Sequence, residues 1–297
     1  MDAKSLKQTA KEFLVDAVGI APIERFDVLP ADKSPKSIFP ECQSVIVLSK
    51  RILRGALRGV EEGTNFHSTY SFFGANLLEN DFLAKATYDL TCWIESQGFE
   101  AVPLFGYAND ADMAFGVPVA PGKPVPNVVV DQNFAAQAAG VAAIGKGGFS
   151  LSPEYGPRQR FAMILTDCKL EADPVIKNTT CEGCNSCITG CPLGAYKNTT
   201  VKQGVPGSEC EVAELDLAVC KACQNGAQVQ GGRGGAVDRL AASCARACIV
   251  RLEKDNLCGN KFKNEFRKRE PWALDPLRKT IPAGVNTNVG GQVKQES

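Results

Sequence analysis

A run of four cysteines has the spacing of an iron–sulfur site. Two, two and three residues separate Cys181, Cys184, Cys187 and Cys191, and Pro192 follows the last of them. In bacterial ferredoxins such a run gives three thiolates to one [4Fe–4S] cubane, and the fourth thiolate ligates a second cluster. A zinc site needs only four ligands and would leave the other nearby cysteines unexplained. The run therefore predicts two clusters and electron transfer.

A second group of cysteines is expected to complete both clusters. Because the fourth ligand is exchanged in two-cluster ferredoxins, the sequence predicts two interleaved sets. The first thiol set is Cys181, Cys184, Cys187 and Cys248. The second thiol set is Cys191, Cys220, Cys223 and Cys244.

The second set departs from the usual spacing. A long insert separates Cys223 from Cys244, and its first part, QNGAQVQGGRGGAV, is predicted to be a flexible surface excursion. No proline follows Cys248. Two further cysteines remain open as ligands or as buried free thiols. Cys210 could replace Cys220 or Cys223, and Cys258 is the other candidate.

Composition places these cysteines in a chain with room for a sizeable core. The chain has 297 residues, 44% of them apolar, and 33 Lys plus Arg against 33 Asp plus Glu. A net charge near zero gives no reason to expect nucleic acid or an anionic membrane as the main partner. Of the 13 cysteines most lie between Cys181 and Cys258, a distribution that indicates metal rather than disulfides.

The N-terminus predicts a helix rather than a targeting signal. Apolar residues recur there at helical spacing and end in no small-residue cleavage site. They are Leu6, Ala10, Phe13, Leu14 and Ala17. Since no apolar run approaches the roughly 20 residues that span a bilayer, we expect a cytoplasmic protein.

Alternating helical and strand patterns fill the first 180 residues. Strands are predicted at 44–48, 101–104 and 161–166, and helices at 76–97, ending at Gly98, and at 134–143. A Pro/Gly-rich segment, 116–127, is predicted to be a loop that lines a site or merely connects elements. The tail after Pro282 is expected to be loosely ordered.

This mixture predicts an α+β protein with a C-terminal ferredoxin-like two-cluster module. We expect a core over residues 1–175 with an α/β pattern, which binds cofactor and substrate. The cluster module is expected over 176–260, and a partly flexible C-terminal extension over 261–297.

Two segments before the cysteine run resemble known reductases. They are VDQNFAAQAAGVAAIGKGGFSLSPEYG, residues 130–156, and RQRFAMILTD, residues 158–167. Both are similar to the corresponding segments of epoxyqueuosine reductases and reductive dehalogenases, in which an IG(K/R) turn, PEYG and a strand ending in Thr-Asp precede the cysteine run. The resemblance is specific between residues 130 and 192. Unlike the respiratory dehalogenases, this chain is short and has no twin-Arg leader.

The resemblance implies a cobalamin enzyme with a flavin-reductase-like core. In these families cobalamin lies between that core and the ferredoxin-like module, and a cluster reduces its cobalt. Matching positions imply that Asp131 is a general acid and that Lys146 is the basic residue near the substrate. They also imply that the turn of Gly145, Gly147 and Gly148 approaches the corrin.

Each of these positions also has a structural interpretation. Asp131 could cap the following helix, and Lys146 could be a solvated side chain in a loop. The glycine turn could be only a helix C-cap.

The sequence therefore supports two hypotheses about function. The first is an oxidoreductase in which two [4Fe–4S] clusters pass electrons to a corrinoid for deoxygenation or dehalogenation of a small organic substrate under anaerobic conditions. The alternative is an electron-transfer and binding module that relays electrons to a partner protein. Either would take electrons from a donor such as ferredoxin or flavodoxin. A flavin is a third interpretation, but no GxGxxG or Walker pattern supports it.

Overall fold

The computed structural model describes residues 1–106, 111–230 and 235–283. Its α-helices are α1 (Ala3–Glu12), α2 (Pro35–Ile38), α3 (Arg58–Glu61), α4 (Ala84–Ser96), α5 (Gln132–Ala138), α6 (Ser186–Thr189), α7 (Leu217–Lys221) and α8 (Ser243–Lys254). Its strands are β1 (Ala17–Pro22), β2 (Ser44–Arg51), β3 (Ala101–Phe105), β4 (Ala143–Ile144), β5 (Ser150–Leu151), β6 (Gln159–Thr166), β7 (Tyr196–Gln203), β8 (Cys210–Leu215), β9 (Gln228–Val229) and β10 (Val237–Asp238).

A four-stranded antiparallel sheet forms the centre of the N-terminal half. The strand order is β1-β2-β6-β3, and every neighbouring pair is antiparallel. Strands β2 and β6 are almost fully buried. The three predicted strands therefore all lie in this sheet, and the mixed helix-and-sheet class is confirmed.

Helices cover both faces of the sheet. Alternate residues of a strand point to opposite faces, and in β2 apolar residues on both faces are buried. Val45 and Val47 of β2 pack in one core with α5. Ile46 and Leu48 pack in a second core with α1 and α4. Both of the latter side chains are fully buried, and each such burial contributes about 1.5–3 kcal/mol.

Two predicted helix ends are wrong. Helix α1 ends at Glu12, and Ala17 instead begins β1, a strand that the sequence pattern did not indicate. Helix α5 ends at Ala138 rather than at residue 143. The cause is Gly140, which adopts a φ of 69°. A Cβ there would lie 2.4 Å from the Pro174 carbonyl oxygen, so the chain turns away and continues into β4.

The predicted helix at 76–97 is helical throughout, but its first part is unusual. π-Helical turns over His67–Asn76 and Leu78–Leu83 precede α4. Gly98 follows the helix with a φ of 84°, as expected for a helix stop. π-Helical turns are rare in proteins, and those that occur are often found at functional sites. The buried residues of this segment are therefore candidates for a functional role.

The C-terminal half is built from short elements. Strands β7 and β8 form an antiparallel hairpin, and α6 packs against α8. Strands β9 and β10 pair across the insert, whose residues 231–234 lie outside the described ranges. The described flanks are only partly at the surface: Val229 is exposed, but Asn225 is fully buried, and its side-chain amide exchanges two 2.8 Å hydrogen bonds with the backbone of Leu274.

Residues 261–283 pack against the rest of the chain. Phe266 joins a core with Leu57, Tyr70 and Ile249 of α8. In addition, the carboxylate of Glu61 forms ion pairs with Arg246 and with Arg267, each at 2.5 Å. The predicted loose tail falls on residues 284–297, which lie outside the described part of the chain.

A membrane span was not found in the part of the chain described above. None of those helices is both long and apolar enough to cross a bilayer.

Substituting Gly19 tests how the sheet meets α5. A Cβ at Gly19 would lie 2.0 Å from the Ala139 carbonyl oxygen and 2.7 Å from Val141 Cγ2. We expect Gly19→Ala to lower the free energy of unfolding by about 1–3 kcal/mol, measured by urea denaturation. Gly55→Ala is the control, because nothing lies within 4 Å of its Cβ position. Equal stability of the two variants would contradict this packing.

Candidate functional site

The structure groups the cysteine thiols into the two predicted sets. Burial, and then the neighbouring thiols Cys187, Cys181 and Cys184, raise the pKa of Cys248 far above its ordinary value. Those four residues are the first thiol set, drawn from sequence-distant segments. That they bind iron remains a prediction.

The second thiol set is recognised in the same way. Burial raises the pKa of Cys220 to about 12; Arg239 opposes the rise, and Cys244, Cys223 and Cys191 add to it. These four thiols also line one small cavity, together with Pro192, Tyr196, Leu215 and Arg239. The cavity brings thiols from three chain segments to one space.

Helix geometry explains why the two sets interleave. Cys244 and Cys248 lie one turn apart on α8, and Cys187 lies in α6, whereas Cys191, four residues later, stands just beyond the end of that helix. Side chains four residues apart on a helix are neighbours, about 5–6 Å apart at Cβ. Helix α8, and α6 together with the residues that directly follow it, therefore each offer one thiol to each set. The charge of Cys244 also raises the pKa of Cys187, which indicates that the sets are adjacent.

Close approach of the two helices depends on Gly190. A Cβ at this position would lie 2.6 Å from Cβ of Ala247 on α8. Its φ of −76° is open to any residue, so glycine is required here by close approach, to Ala247 of α8 and to the Ser186 carbonyl oxygen, which lies 2.7 Å from the Cβ position. The contact determines how far apart the thiols on the two helices stand.

Backbone N–H groups point at several of the sulfur atoms. The N–H groups of Lys146, Ala195 and Asn225 donate to the sulfur atoms of Cys181, Cys191 and Cys223 at 3.4, 3.3 and 3.4 Å. Hydrogen bonds to cluster sulfurs are among the features that set cluster potentials. The donors are thus positioned for thiolates rather than for disulfides, and every cysteine in the described residues is a free thiol.

The thiol sets do not have the geometry of a single-ion site. Within residues 1–106, 111–230 and 235–283, no three or more His, Cys, Asp or Glu side chains are arranged to hold a metal ion. A tetrahedral zinc site would bring four ligands to about 2.0–2.3 Å of one ion. In a cubane each thiolate binds a different iron atom, and the thiols stand correspondingly farther apart.

Burial separates the two sets. Cys191, Cys220, Cys223 and Cys244 are all buried, whereas in the first set only Cys187 is buried and Cys181, Cys184 and Cys248 are partly exposed. Burial raises the pKa of Cys184, but hydrogen bonds from Ser186 and the charges of Arg251 and Lys146 outweigh it, so that this pKa is lowered. The first set is therefore the one nearer to solvent and to positive charge.

Two further cysteines lie beside the first set. Cys210, at the start of β8, feels the charge of Cys181, and burial is the main cause of its raised pKa. Asn178 donates to its sulfur at 3.7 Å. Cys258 is buried and lies near Cys248. Neither lines the cavity of the second set.

A cleft of about 330 Å³ lies between the N-terminal sheet and the C-terminal half. This volume is at the lower end of the range for small-molecule sites. Its walls come from the start of α5, the turn between β4 and β5, β6, the hairpin β7–β8 and the insert. Five residues with amide side chains line it: Gln132, Asn133, Gln159, Gln203 and Gln230. The amides of Asn133 and Gln159 are hydrogen-bonded within the protein, the first to Gly148 and Ser150 and the second to Ser49 and Gly156.

One wall of the cleft adjoins both thiol sets. Leu215 and Arg239 line the cleft and also the cavity of the second set. Gly147 lines the cleft as well, and a Cβ there would lie 2.8 Å from the sulfur of Cys187 in the first set. A ligand in the cleft would therefore be separated from either set by a single layer of residues.

A buried charge network forms another part of the wall. Arg160 pairs with Asp238 at 2.6 Å and with Glu79 at 3.5 Å, and all three residues line the cleft. The hydroxyl of Tyr70, from the π-helical segment, donates to Asp238 at 2.8 Å. Burial disfavours the charge of Arg160, but Asp238, Tyr70 and Glu79 raise its pKa overall. Sequence analysis missed this network, because its members are distant in the chain.

The predicted catalytic side chains lie beside the cleft but are not among its lining residues. Asp131 caps α5, accepting hydrogen bonds from the N–H groups of Asn133 at 2.8 Å and Phe134 at 3.5 Å. The ammonium group of Lys146 donates to Asn185 at 2.6 Å, in the cysteine run. Both roles remain predictions.

The glycine turn connects two strands and is not a helix C-cap. Gly145 directly follows β4, its N–H donates to the Phe149 carbonyl at 2.7 Å, and β5 follows. Gly148 adopts a φ of 72°. Gly147 and Gly148 line the cleft, whereas Gly145 does not.

Curated relatives agree with the resemblance inferred from the sequence. The tetrachloroethene reductive dehalogenases of Dehalobacter restrictus and Desulfitobacterium hafniense are each 27% identical to this chain over 135 residues, which is 44% of this chain. The match covers 21% of each relative, so this chain spans about a fifth of their length. No family model matches the chain.

Solved structures agree on the fold. The catabolic reductive dehalogenase NpRdhA aligns with 96% of this chain and 44% of its own, with a TM-score of 0.55 and 16% identity. The chain is similar to reductive dehalogenases in both sequence and fold. Epoxyqueuosine reductase from Streptococcus thermophilus aligns with 66% of this chain and 54% of its own, with a TM-score of 0.47 and 18% identity.

The predicted resemblance to reductive dehalogenases is thereby confirmed.

Substituting Gly190 tests the helix contact that brings the thiols together. We expect Gly190→Ala to push α6 from α8, to lower the free energy of unfolding by about 1–3 kcal/mol, and to reduce the iron bound after anaerobic reconstitution. The measurements are denaturation and iron analysis. Gly55→Ala, at an open position, should keep the iron content of the unsubstituted protein. Full iron content in Gly190→Ala would contradict this role of the contact.

Proposed function

We propose that this chain is an iron–sulfur reductase in which two [4Fe–4S] clusters deliver electrons to a corrinoid in the cleft. The observation that carries the proposal is the wall that the cleft shares with both thiol sets, through Gly147, Leu215 and Arg239. The reaction class is reductive cleavage of a small organic substrate. Residues 1–175 would form the cofactor- and substrate-binding core, and residues 176–260 the cluster module.

The two thiol sets fit cubane clusters in number and in chemistry. The first set would hold one cluster and the second set the other. Backbone N–H groups already point at Cys181, Cys191 and Cys223, as expected for thiolate ligands whose charge must be balanced. Neutral thiols are favoured by burial in this protein without iron, so iron binding would release protons.

Burial suggests the direction of electron flow. Three of the four thiols of the first set are partly exposed, and Lys146 and Arg251 lie nearby, so a donor such as ferredoxin or flavodoxin would deliver electrons there. The second set is buried and adjoins the cleft through Leu215 and Arg239. Electrons would therefore enter at the first cluster and leave at the second.

The lining of the cleft supports a corrinoid by its chemistry. The amide residues Gln132, Gln203 and Gln230 and the backbone of Gly147 and Gly148 match a ligand whose rim carries many amides. At about 330 Å³ the cleft holds only part of so large a molecule, and the rest would extend to its open side. When bound, a corrinoid supplies a strongly reducing metal centre. One solved reductive dehalogenase of similar fold, with a TM-score of 0.54, suggests a mechanism for B12-dependent dehalogenation.

The residues of this chain would provide charge and protons for the reaction. Cleavage of a carbon–halogen bond takes up two electrons and one proton and releases a halide ion; removal of an epoxide oxygen takes up two electrons and two protons and releases water. Asp131 would supply a proton. Lys146 would supply positive charge where the leaving anion develops. Arg160 already faces the cleft within its buried network.

A relay without chemistry of its own is the second candidate. The observation that favours it is that neither Asp131 nor Lys146 is among the residues lining the cleft. In that case the second cluster would pass electrons through the same wall to a partner protein.

Cysteine substitutions test the interleaved ligand sets. We expect Cys248→Ala and Cys184→Ala to remove the same cluster, because both belong to the first set, and Cys191→Ala and Cys244→Ala to remove the other. Each variant should lose about half of the iron, and EPR of the reduced protein should show which signal remains. Cys92→Ala is the control, because Cys92 is exposed and lies outside both sets. Loss of different signals in Cys248→Ala and Cys184→Ala would contradict the assignment.

Corrinoid retention tests the cleft. We expect cluster-loaded protein to retain hydroxocobalamin through anaerobic gel filtration. Val201→Trp should weaken retention, because Val201 lines the cleft and the larger ring narrows it. Val229→Trp is the matched control, since Val229 is about as exposed but does not line the cleft. If the unsubstituted protein keeps its clusters but retains no cobalamin, the relay replaces the reductase as the better account.

A further inference from the structure

Arg239 lies where the cleft meets the second thiol set. It is the residue after β10, and its side chain lines both the cleft and the cavity of the second set. Its guanidinium donates to the Gly147 carbonyl at 3.0 Å and to the Tyr196 hydroxyl at 2.9 Å. It also stacks over Phe149, 4.7 Å from the ring centroid. These contacts hold the cation at a fixed place in the wall.

Tyr196 connects this cation with the thiols. The ring is buried, at 8% exposure. Its hydroxyl donates to the Gly147 carbonyl at 3.2 Å and also interacts with the Cys244 thiol. The guanidinium thus reaches the second set through one hydroxyl group, in addition to its direct electrostatic effect on Cys220 and Cys244.

We propose that Arg239 is a positioning residue that raises the reduction potential of the cluster in the second thiol set and so makes it the electron acceptor of the pair. The inference rests on the proposed function, because it requires both clusters. It concerns only residues of this chain and does not require a corrinoid.

The physical basis is the charge of the reduced cluster. Reduction adds one negative charge, which a nearby cation stabilises, and the interaction is stronger away from water. Net charge, hydrogen bonds and solvent exposure are the features by which proteins set cluster potentials. With Arg239 beside the buried second set and the first set nearer solvent, electrons would be drawn toward the cleft.

Redox titration of cluster-loaded protein, followed by EPR without any corrinoid, tests the inference. We expect Arg239→Met to lower one of the two midpoint potentials and to leave the other in place. A shift of about 59 mV corresponds to a tenfold change in the ratio of reduced to oxidised cluster for a one-electron couple, and we expect a shift of this order. Arg239→Lys keeps the charge and should retain most of the original potential.

Lys146→Gln is the matched control, because Lys146 carries a positive charge beside Cys184 of the first set. We expect it to move the other midpoint potential. If Arg239→Met leaves both potentials unchanged, or moves the same one as Lys146→Gln, the inference is wrong.

If Arg239→Met fails to hold the cluster of the second thiol set, Tyr196→Phe provides an alternative variant for the same measurement. Removing the hydroxyl should lower the same potential by a smaller amount, and an unchanged potential would overturn the inference. Unsubstituted protein that lacks two reducible clusters would contradict the proposed function instead, before any variant is compared.

Discussion

The crossing of α6 and α8 is the contact on which the rest of the C-terminal half depends. It is possible because Gly190 has no side chain to hold Ala247 away. The thiols of Cys244 and Cys248 on α8, and of Cys187 on α6 and Cys191 just after it, then belong to two different groups, and chain segments before and after the β7–β8 hairpin are brought together. Since cluster binding and folding are coupled in small metal-binding modules, this contact would influence both stability and electron transfer.

The second constraint is the thin wall between thiols and cleft. Gly147 fills one part of the wall with backbone alone, and Leu215 and Arg239 fill another. A thicker wall would lengthen the path for an electron, and a gap would admit water to the second set. The antiparallel sheet contributes β6, whose first residues carry Gln159 and Arg160 into the cleft. The fold of the N-terminal half therefore matters chiefly through the surface it presents to the cysteines.

The sequence predicted local features well and long-range ones poorly. Buried strands such as β2 and the spacing of the cysteine run from Cys181 to Cys191 follow from short patterns whose physical reasons are local. The end of α5 was missed because the Pro174 carbonyl, distant in sequence, occupies the place of a Gly140 side chain. The insert looked like a flexible loop because it is rich in glycine, yet Asn225 is buried and Val237 lines the cleft. The Arg160 network joins three separate segments, so no local pattern indicated it.

The central claim is that eight thiols hold two iron–sulfur cubanes. The most direct measurement is iron and acid-labile sulfide analysis of anaerobically purified, unsubstituted protein, with EPR of the dithionite-reduced sample. The account predicts about eight iron and eight sulfide per chain, from two four-iron cubanes, with signals from two interacting clusters. Colourless protein that contains zinc, or whose cysteines are joined in disulfides, would contradict it.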